Sequence, residues 1–459
     1  MLRRVMAPER ASATGATAPY VTAAEAGFPQ PVPGGLEFNA PVHESWNIVH
    51  TGMLVPECHQ VYVGTGNCLR GVALTAAEMG ACDRYSSVTV EERDLVVDNL
   101  ESVTVEGVTD VLRRLLQLPR AVMVFLVCLH HFTGTDVGHV YRELGRRFPD
   151  VCFLRCWMDP IMRKTGLTPE QRQRSAMLDP LEDLPQDPRQ VAVVGDDLRL
   201  PAQSDLACLL MGGGYHLRQT QDCATFDEYR ALGASTAFVT RSPLAVRGVR
   251  RCAERLGRGW LYLPPSLSYD AIDAGLAQVA GLLGLDVPAT IDQRLACDAV
   301  LEGLRDELGA GAVPIAIDHL AVNHPLELAR LLVEHGLGVG RVYVDVVGEE
   351  ERGSLAWLAR HAPTLELWST THPALRSLPR DGGGRRWLAV GPKAAWFCGT
   401  DRFVNIIETD GSWGYAAILH LVDLMREAWR TPKDVRAIVP RKGLGCACAC
   451  QLPGQGREP

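Results

Sequence analysis

No run of apolar residues in this 459-residue chain is long enough to cross a bilayer. The longest, such as AVMVFLVCL at 121–129, fall well short of the roughly 18 residues a membrane span needs. The chain opens with two arginines, MLRR, but the apolar stretch of a signal peptide does not follow them, so none is expected. Positive charge is in deficit: 46 Lys and Arg face 54 Asp and Glu. The resulting net charge of -8, with no basic stripe, argues against nucleic acid or an anionic membrane as the main partner. The GxGxxG pattern of dinucleotide sites is missing, and GDD at 195–197 resembles a phosphate turn only faintly. A cytoplasmic location is expected, with the 14 cysteines scattered singly as buried thiols plus a metal or redox site rather than a disulfide framework.

What the chain does have is an ordinary globular composition, 47% hydrophobic and 22% charged, and a length that exceeds one hydrophobic core. One grammar recurs along it. AVMVFLVCLHH (121–131), QVAVVGDD (190–197), TAFVTRS (236–242) and VPIAIDH (313–319) are short apolar runs that end in Gly, Asp, Ser or His and read as buried parallel strands. The segments TDVGHVYRELGRRF, SDLACLLMGGGYHL, PLAVRGVRRCAERLG and PLELARLLVEHGLG have helical spacing and open on Thr-Asp, Ser or Pro. The alternation predicts an α/β protein of three doubly wound, mainly parallel-sheet Rossmann-like domains, with ligands beyond the carboxyl ends of the strands. The expected boundaries are a loose N-terminal arm (1–35), a first domain (36–185), a second (186–300), a third (301–438) and a Cys-rich tail (439–459). The charged, proline-bearing DPLEDLPQDPRQ (179–190) links the first two domains, and a helix over 286–308 bridges to the third.

The chemistry concentrates in the first domain. PECHQVYVGTGNC places Cys58 and Cys68 around a glycine-bearing turn, and Cys68 precedes a good helix sequence. Cys128 ends a second apolar run, and Asp136 is positioned to cap the helix after it. Cys68 and Cys128 therefore belong at one edge of a sheet, near helix N-termini that favour the thiolate form that binds iron or zinc. Each cysteine also fits a plain core position, since thiols are among the most buried side chains. His130 and His131 follow as hydrogen-bond or proton donors, with capping or packing expected of at least one. CACAC at 446–450 would put three thiols on one face of a strand, as a metal site or as an accessory tail. His324 and His335, eleven apart, form a weaker candidate pair on one helix face.

NCLRGVALTAAEMG and CLHHFTGTD together resemble the first domain of the nitrogenase component 1 family, which includes the nitrogenase molybdenum-iron protein subunits and dark-operative protochlorophyllide reductase-like proteins. In that family a Gly-rich turn ends in a cysteine that opens a helix. A second strand ends in a cysteine followed at six and eight residues by Gly and Asp, a spacing kept here by Cys128, Gly134 and Asp136. The stretch from QVAVVGDD to GWLYLP is similar to the family's second domain, and VNIIETDGSWGYAAILHLVDLM (404–425) to its last βα unit. The resemblance covers residues 40 to 430 or so. It implies an oxidoreductase subunit that shares an iron-sulfur cluster, [4Fe-4S] or a related interfacial form, with a related component 1 subunit in a homo- or hetero-oligomer. It also implies electrons arriving from an ATP-dependent iron-sulfur reductase.

Residue by residue, Cys68 and Cys128 match two of the family's cluster cysteines. A further one, some two dozen residues upstream of Cys68, falls near His43, where no cysteine exists; Cys58 is the nearest thiol, with Glu57 beside it as an oxygen donor. The expected ligands are thus Cys58, Cys68 and Cys128, with Cys82, Cys152 and Cys156 as buried or incidental thiols. The family's catalytic subunit also holds a molybdenum-iron cofactor by one cysteine and one histidine. Thr240 and Arg241 stand at the first position and Trp413 at the second. The chain is therefore expected not to anchor that cofactor and not to reduce dinitrogen, acting instead on another substrate or as a companion subunit. The other classes of function are a scaffold for metallocluster assembly and a non-metal α/β binding module.

Overall fold

The computed structural model describes residues 18–32, 42, 46–96, 99–159, 166–380 and 382–439. The CACAC tail and His43 lie outside the described residues. The first strand, β1 (Tyr20–Thr22), falls inside the segment expected to be a loose arm; it is an edge strand, and the ring of Tyr20 stacks on Trp368 at 4.7 Å. Sheet one is built from β2 (Cys58–Gly64), β3 (Tyr85–Thr89), β4 (Ala121–Val127) and β5 (Cys152–Met158), in the order β3-β2-β4-β5 and parallel throughout. Sheet two follows with β6 (Asp187–Val193), β7 (His216–Gln219), β8 (Ser235–Thr240) and β9 (Gly259–Tyr262), in the order β7-β6-β8-β9, again parallel. Sheet three holds β10 (Ile315–Asp318), β11 (Val339–Tyr343), β12 (Glu366–Trp368), β13 (Leu388–Val390) and β14 (Phe403–Val404), in the order β1-β12-β11-β10-β13-β14. Only its β1–β12 pair is antiparallel.

All four apolar runs read as strands are strands, and the four helical segments are helices: Val137–Arg147, Asp205–Gly212, Val246–Leu256 and Pro325–Glu334. The Asp136 carboxylate accepts from the His139 backbone N–H at 2.9 Å and starts the first of these helices. β2 and β4 are both buried along their whole length, and β4 is accordingly apolar without alternation.

The chain forms two compact units. One comprises Glu44–Asp292 with Asp410–Ala417 and holds sheets one and two; the other holds sheet three. Sheets one and two share an apolar core in which Tyr62, Phe125 and Cys156 meet Phe238, Val249 and Cys252. The expected linker 179–190 runs directly into β6, which opens at Asp187.

In the unit of sheet three, His324 and His335 are too far apart to share a metal ion. They flank the helix Pro325–Glu334 at its two ends, roughly 15 Å apart. His335 bonds Asp298 at 3.0 Å, and His324 bonds Glu350 at 3.0 Å with Glu327 at 3.4 Å. Buried Glu351 accepts from the N–H groups of Leu326 and Glu327, satisfying the helix start. Burial opposes charge on His324, but its ion pairs with Glu327 and Glu350 outweigh this and raise it to about 10. Burial pushes Glu351 up to about 7.

Both folded values exceed the unfolded ones, so both contributions are complete at low pH. That of Glu351 fades as pH rises through 7 and that of His324 as pH rises through 10. His324→Gln is expected to cost about 2 kcal/mol at pH 7. In urea unfolding the gap to wild type should close by pH 10.5, about half a unit above the folded value; a gap of constant size from neutral to alkaline pH would show that the imidazolium contributes nothing.

Candidate functional site

The three sheets wind alike. Each has one place where neighbouring strands send their chains in opposite directions: between β2 and β4, between β6 and β8, and between β10 and β13. Such switch points open crevices beyond the carboxyl ends of the strands, where α/β proteins bind ligands. The side chains at these three places differ.

At the first crevice, Cys68 is the third residue of the helix Gly66–Glu78 that follows β2, and it is exposed. The Thr65 hydroxyl donates to its Sγ at 3.4 Å. Cys128 opens the short helix Cys128–Phe132 directly after β4 and is partly exposed. Gly64 ends β2 without a side chain because a Cβ there would stand 2.9 Å from Val127 Cγ1, so the two thiol-bearing turns approach closely. Asp159, buried just beyond β5, binds His131 Nε2 at 3.1 Å, and the imidazole lies flat on Trp157 with ring centroids 4.1 Å apart.

Partial burial, then the Asp159 carboxylate and the Cys68 thiol, hold Cys128 above the ordinary cysteine value. This reverses the expectation of a thiolate favoured by a helix N-terminus. The helix is only five residues long, and burial first and the carboxylate second disfavour the thiolate. A metal ion would displace the proton, since coordinated thiols are deprotonated.

His130 is not a ligand candidate. It is buried, with Nε2 3.1 Å from the Thr104 hydroxyl, Nδ1 at the Val127 backbone, and burial lowering it to about 4, so it is neutral and structural. Asp159 and Trp157 were missed in the sequence because Arg155 interrupts the apolar run CFLRCWM that precedes them. The signal was an Asp at or just past the end of a strand, as at Asp318 and Asp196.

Cys58 departs from its expected place. It is not in a turn near Cys68 but is the first residue of β2, paired with Ala121 at the start of β4. The strand length puts it roughly 20 Å from the edge carrying Cys68 and Cys128. It is 2% exposed, and burial pushes its thiol up to about 12. Glu57 is also committed at that end, accepting from the Phe226 N–H at 2.7 Å. Cys152 and Cys156 pack against the core shared by sheets one and two, and Cys82 is exposed in a turn. A cavity of about 990 Å³ is lined by Cys58, His59, Arg84, Arg120 and Cys223. It opens at the amino ends of β2 and β4, the wrong edge for a switch-point site.

The second crevice is closed by charge pairs. Asp196, just past β6, holds Arg241, just past β8, through Oδ2 to Nε at 3.0 Å and Oδ1 to the backbone N–H at 2.8 Å. Asp197 takes the Arg174 guanidinium with two bonds of 2.9 and 2.6 Å and the Thr51 hydroxyl at 3.0 Å. GDD is therefore not a phosphate turn; both carboxylates are consumed by buried arginines. The third crevice is filled by Asp318, whose carboxylate accepts from Ala394, Leu320 and Ala321 N–H groups at 2.8, 2.9 and 3.2 Å.

Among the described residues, no group of three or more His, Cys, Asp or Glu side chains is gathered to hold a metal ion. No helix among them is long and apolar enough to cross a membrane. No family model matches the chain, and no curated protein matches it. Solved structures do. Nitrogenase Cp1 at pH 6.5 superposes with a TM-score of 0.61 over 86% of this chain and 94% of that one, at 12% identity. Nitrogenase Cp1 at pH 5 superposes with a TM-score of 0.52 over 87% and 89%, at 11% identity.

The fold is nitrogenase-like.

Within this nitrogenase-like fold, the two positions at which the resemblance puts cofactor ligands hold packed structural side chains. Arg241 is locked to Asp196 and also donates to the carbonyls of Leu198 and Gly411. Trp413 is 2% exposed, donates its indole N–H to Pro264 O at 3.1 Å and lies against Gly275.

Proposed function

We propose that this chain is a nitrogenase component 1-like oxidoreductase subunit in which Cys68 and Cys128 supply half of the ligands to an iron-sulfur cluster, [4Fe-4S] or a related interfacial form. The observation that carries the reading is the pair of accessible thiols at the one switch point that buried ion pairs or a buried carboxylate do not fill. Two thiols fit half a donor set for a soft metal site, with the rest coming from a related subunit docked on this edge. Exposed Phe132, at the end of the short helix that Cys128 opens, suits such an interface. A bound cluster supplies one-electron transfer.

The chain's own residues do the rest. Cys68 and Cys128 hold the cluster, Thr65 donates a hydrogen bond to the Cys68 sulfur, and Asp159 orients His131 at the crevice. The electron donor in this reading is an ATP-dependent iron-sulfur reductase, and the compartment is the reducing cytoplasm, which suits free thiols. The substrate is not dinitrogen, because Arg241 and Trp413 occupy the anchoring positions of the molybdenum-iron cofactor.

Iron and sulfide analysis with electron paramagnetic resonance, on protein purified anaerobically with its genomic neighbour subunit, tests the assignment. Cys68→Ala and Cys128→Ala are expected to lose most of the iron, and Cys58→Ala to keep it. Iron that survives both edge substitutions sinks the proposal. Turnover with the reductase and ATP separates a redox subunit from a scaffold that assembles a cluster and hands it on.

A further inference from the structure

A strongly basic stretch interrupts this acidic chain far from the thiols in sequence. Between Leu367 and Thr400 the sequence has one carboxylate, Asp381, against Arg376, Arg380, Arg385, Arg386 and Lys393. The four arginines are exposed, and none forms an ion pair with a described carboxylate. Three of them lie over indole rings: Arg380 over Trp396 at 4.2 Å, Arg385 over Trp387 at 5.0 Å and Arg386 over Trp429 at 4.4 Å. Trp387 is 1% exposed and anchored by its N–H to Gly382 O at 2.8 Å, with Arg341 also against its ring.

A guanidinium held against an indole has lost much of its rotational freedom before any partner arrives, and its edge N–H groups still point outward. Ordering is a large part of what association costs, so such arginines are prepared to bind. Their fork geometry matches carboxylates bidentately, and arginine is enriched at protein interfaces.

We propose that Arg376, Arg380, Arg385 and Arg386 form a docking surface for an acidic protein partner, whose carboxylates take the four guanidiniums. Single-stranded nucleic acid is disfavoured because its bases need free aromatic faces, and these indoles are covered by the chain's own arginines. A membrane surface is disfavoured because the accompanying exposed apolar surface is slight, Leu378 at 37%. The inference is independent of the cluster, since none of these residues belongs to the thiol site.

Fluorescence anisotropy of a labelled octaglutamate peptide with the full-length chain provides the test, with an oligodeoxythymidine and phosphatidylserine vesicles as separate arms. The peptide is expected to bind in a salt-sensitive way, and the triple variant Arg380→Gln, Arg385→Gln, Arg386→Gln to weaken it about tenfold or more. The corresponding lysine variant keeps the charge but loses the planar fork, and is expected to weaken binding about threefold. Should the triple variant fail to fold, Arg386→Gln alone is expected to show about a threefold loss with an unchanged melting temperature. Undiminished binding by the glutamine variants, or tighter binding of the oligonucleotide or vesicles than of the peptide, overturns the proposal. So does a salt-sensitive dimer of the wild type, seen by sedimentation velocity and lost in the glutamine variant, because the occupant would then be a second copy.

Discussion

Arg241→Ala is expected to lower the stability of the unit holding sheets one and two by about 3–5 kcal/mol. The side chain is 6% exposed, and its partner Asp196 is equally buried. Removing the guanidinium leaves a buried carboxylate with the Arg241 backbone N–H at 2.8 Å and a long contact of 3.4 Å to the Thr240 hydroxyl. The carbonyls of Leu198 and Gly411 lose their donor at the same time. The cost comes from unpaired buried polar groups rather than from lost attraction, which makes the double variant informative. Replacing both partners by apolar residues of similar volume, Asp196→Leu with Arg241→Met, is expected to cost less than Arg241→Ala alone. Urea unfolding of the two single variants and the double variant gives the comparison. A loss below about 1 kcal/mol for Arg241→Ala would mean that the pair is hydrated rather than buried.

Gly391→Ala is expected to destabilise the unit holding sheet three by about 4 kcal/mol, from backbone strain together with broken buried hydrogen bonds. Gly391 follows β13 directly with φ of 113°, a conformation that L side chains rarely adopt. A Cβ there would stand 2.3 Å from Asp318 Oδ2, the oxygen that accepts from the Ala394 N–H. The methyl group would have to push that carboxylate off the start of the helix Pro392–Cys398. Gly145 serves as the control. It lies within the helix Val137–Arg147 with open space where a Cβ would go, so Gly145→Ala is expected to be neutral or to stabilise by about 0.5–1 kcal/mol. Thermal melts of the two alanine variants should move in opposite directions; a Gly391→Ala melt within a degree or two of wild type would rule out the strain argument.

Both predictions concern switch points, and both explain why the thiol-bearing crevice stands apart. In sheets two and three the crevice beyond the strands is occupied by the protein's own charge, so its geometry serves stability. In sheet one the corresponding place carries accessible sulfur. The pKa directions agree with this division: Cys58, at the other end of the strand, is driven up to about 12 by burial, while Cys128 is raised less by partial burial and its acidic neighbour.

The sequence by itself determined the α/β class and the strand ends that matter. Apolar runs such as AVMVFLVCL have no polar face and alternate with helical segments, which marks them as buried strands of parallel sheets with the residues just after them at the carboxyl edge. Cys128 was placed at the end of β4 on that basis, Cys68 from the helix sequence that follows it, and Asp136 as the cap of the next helix.

Tertiary structure alone decided the positions of polar residues inside strands. CHQVYVG, interrupted by His59 and Gln60, is not among the apolar runs read as strands, yet it is β2: His59 binds Ser86 at 2.8 Å, and Gln60 binds Val49 O at 3.0 Å and the Tyr62 hydroxyl at 2.7 Å. Buried polar side chains are tolerated where distant residues satisfy them, and that information is not local in the chain. The same holds for GDD, whose two carboxylates are explained by arginines 23 and 45 residues away. Local patterning reveals which residues avoid water; which polar groups find each other depends on how the strands and helices close in space.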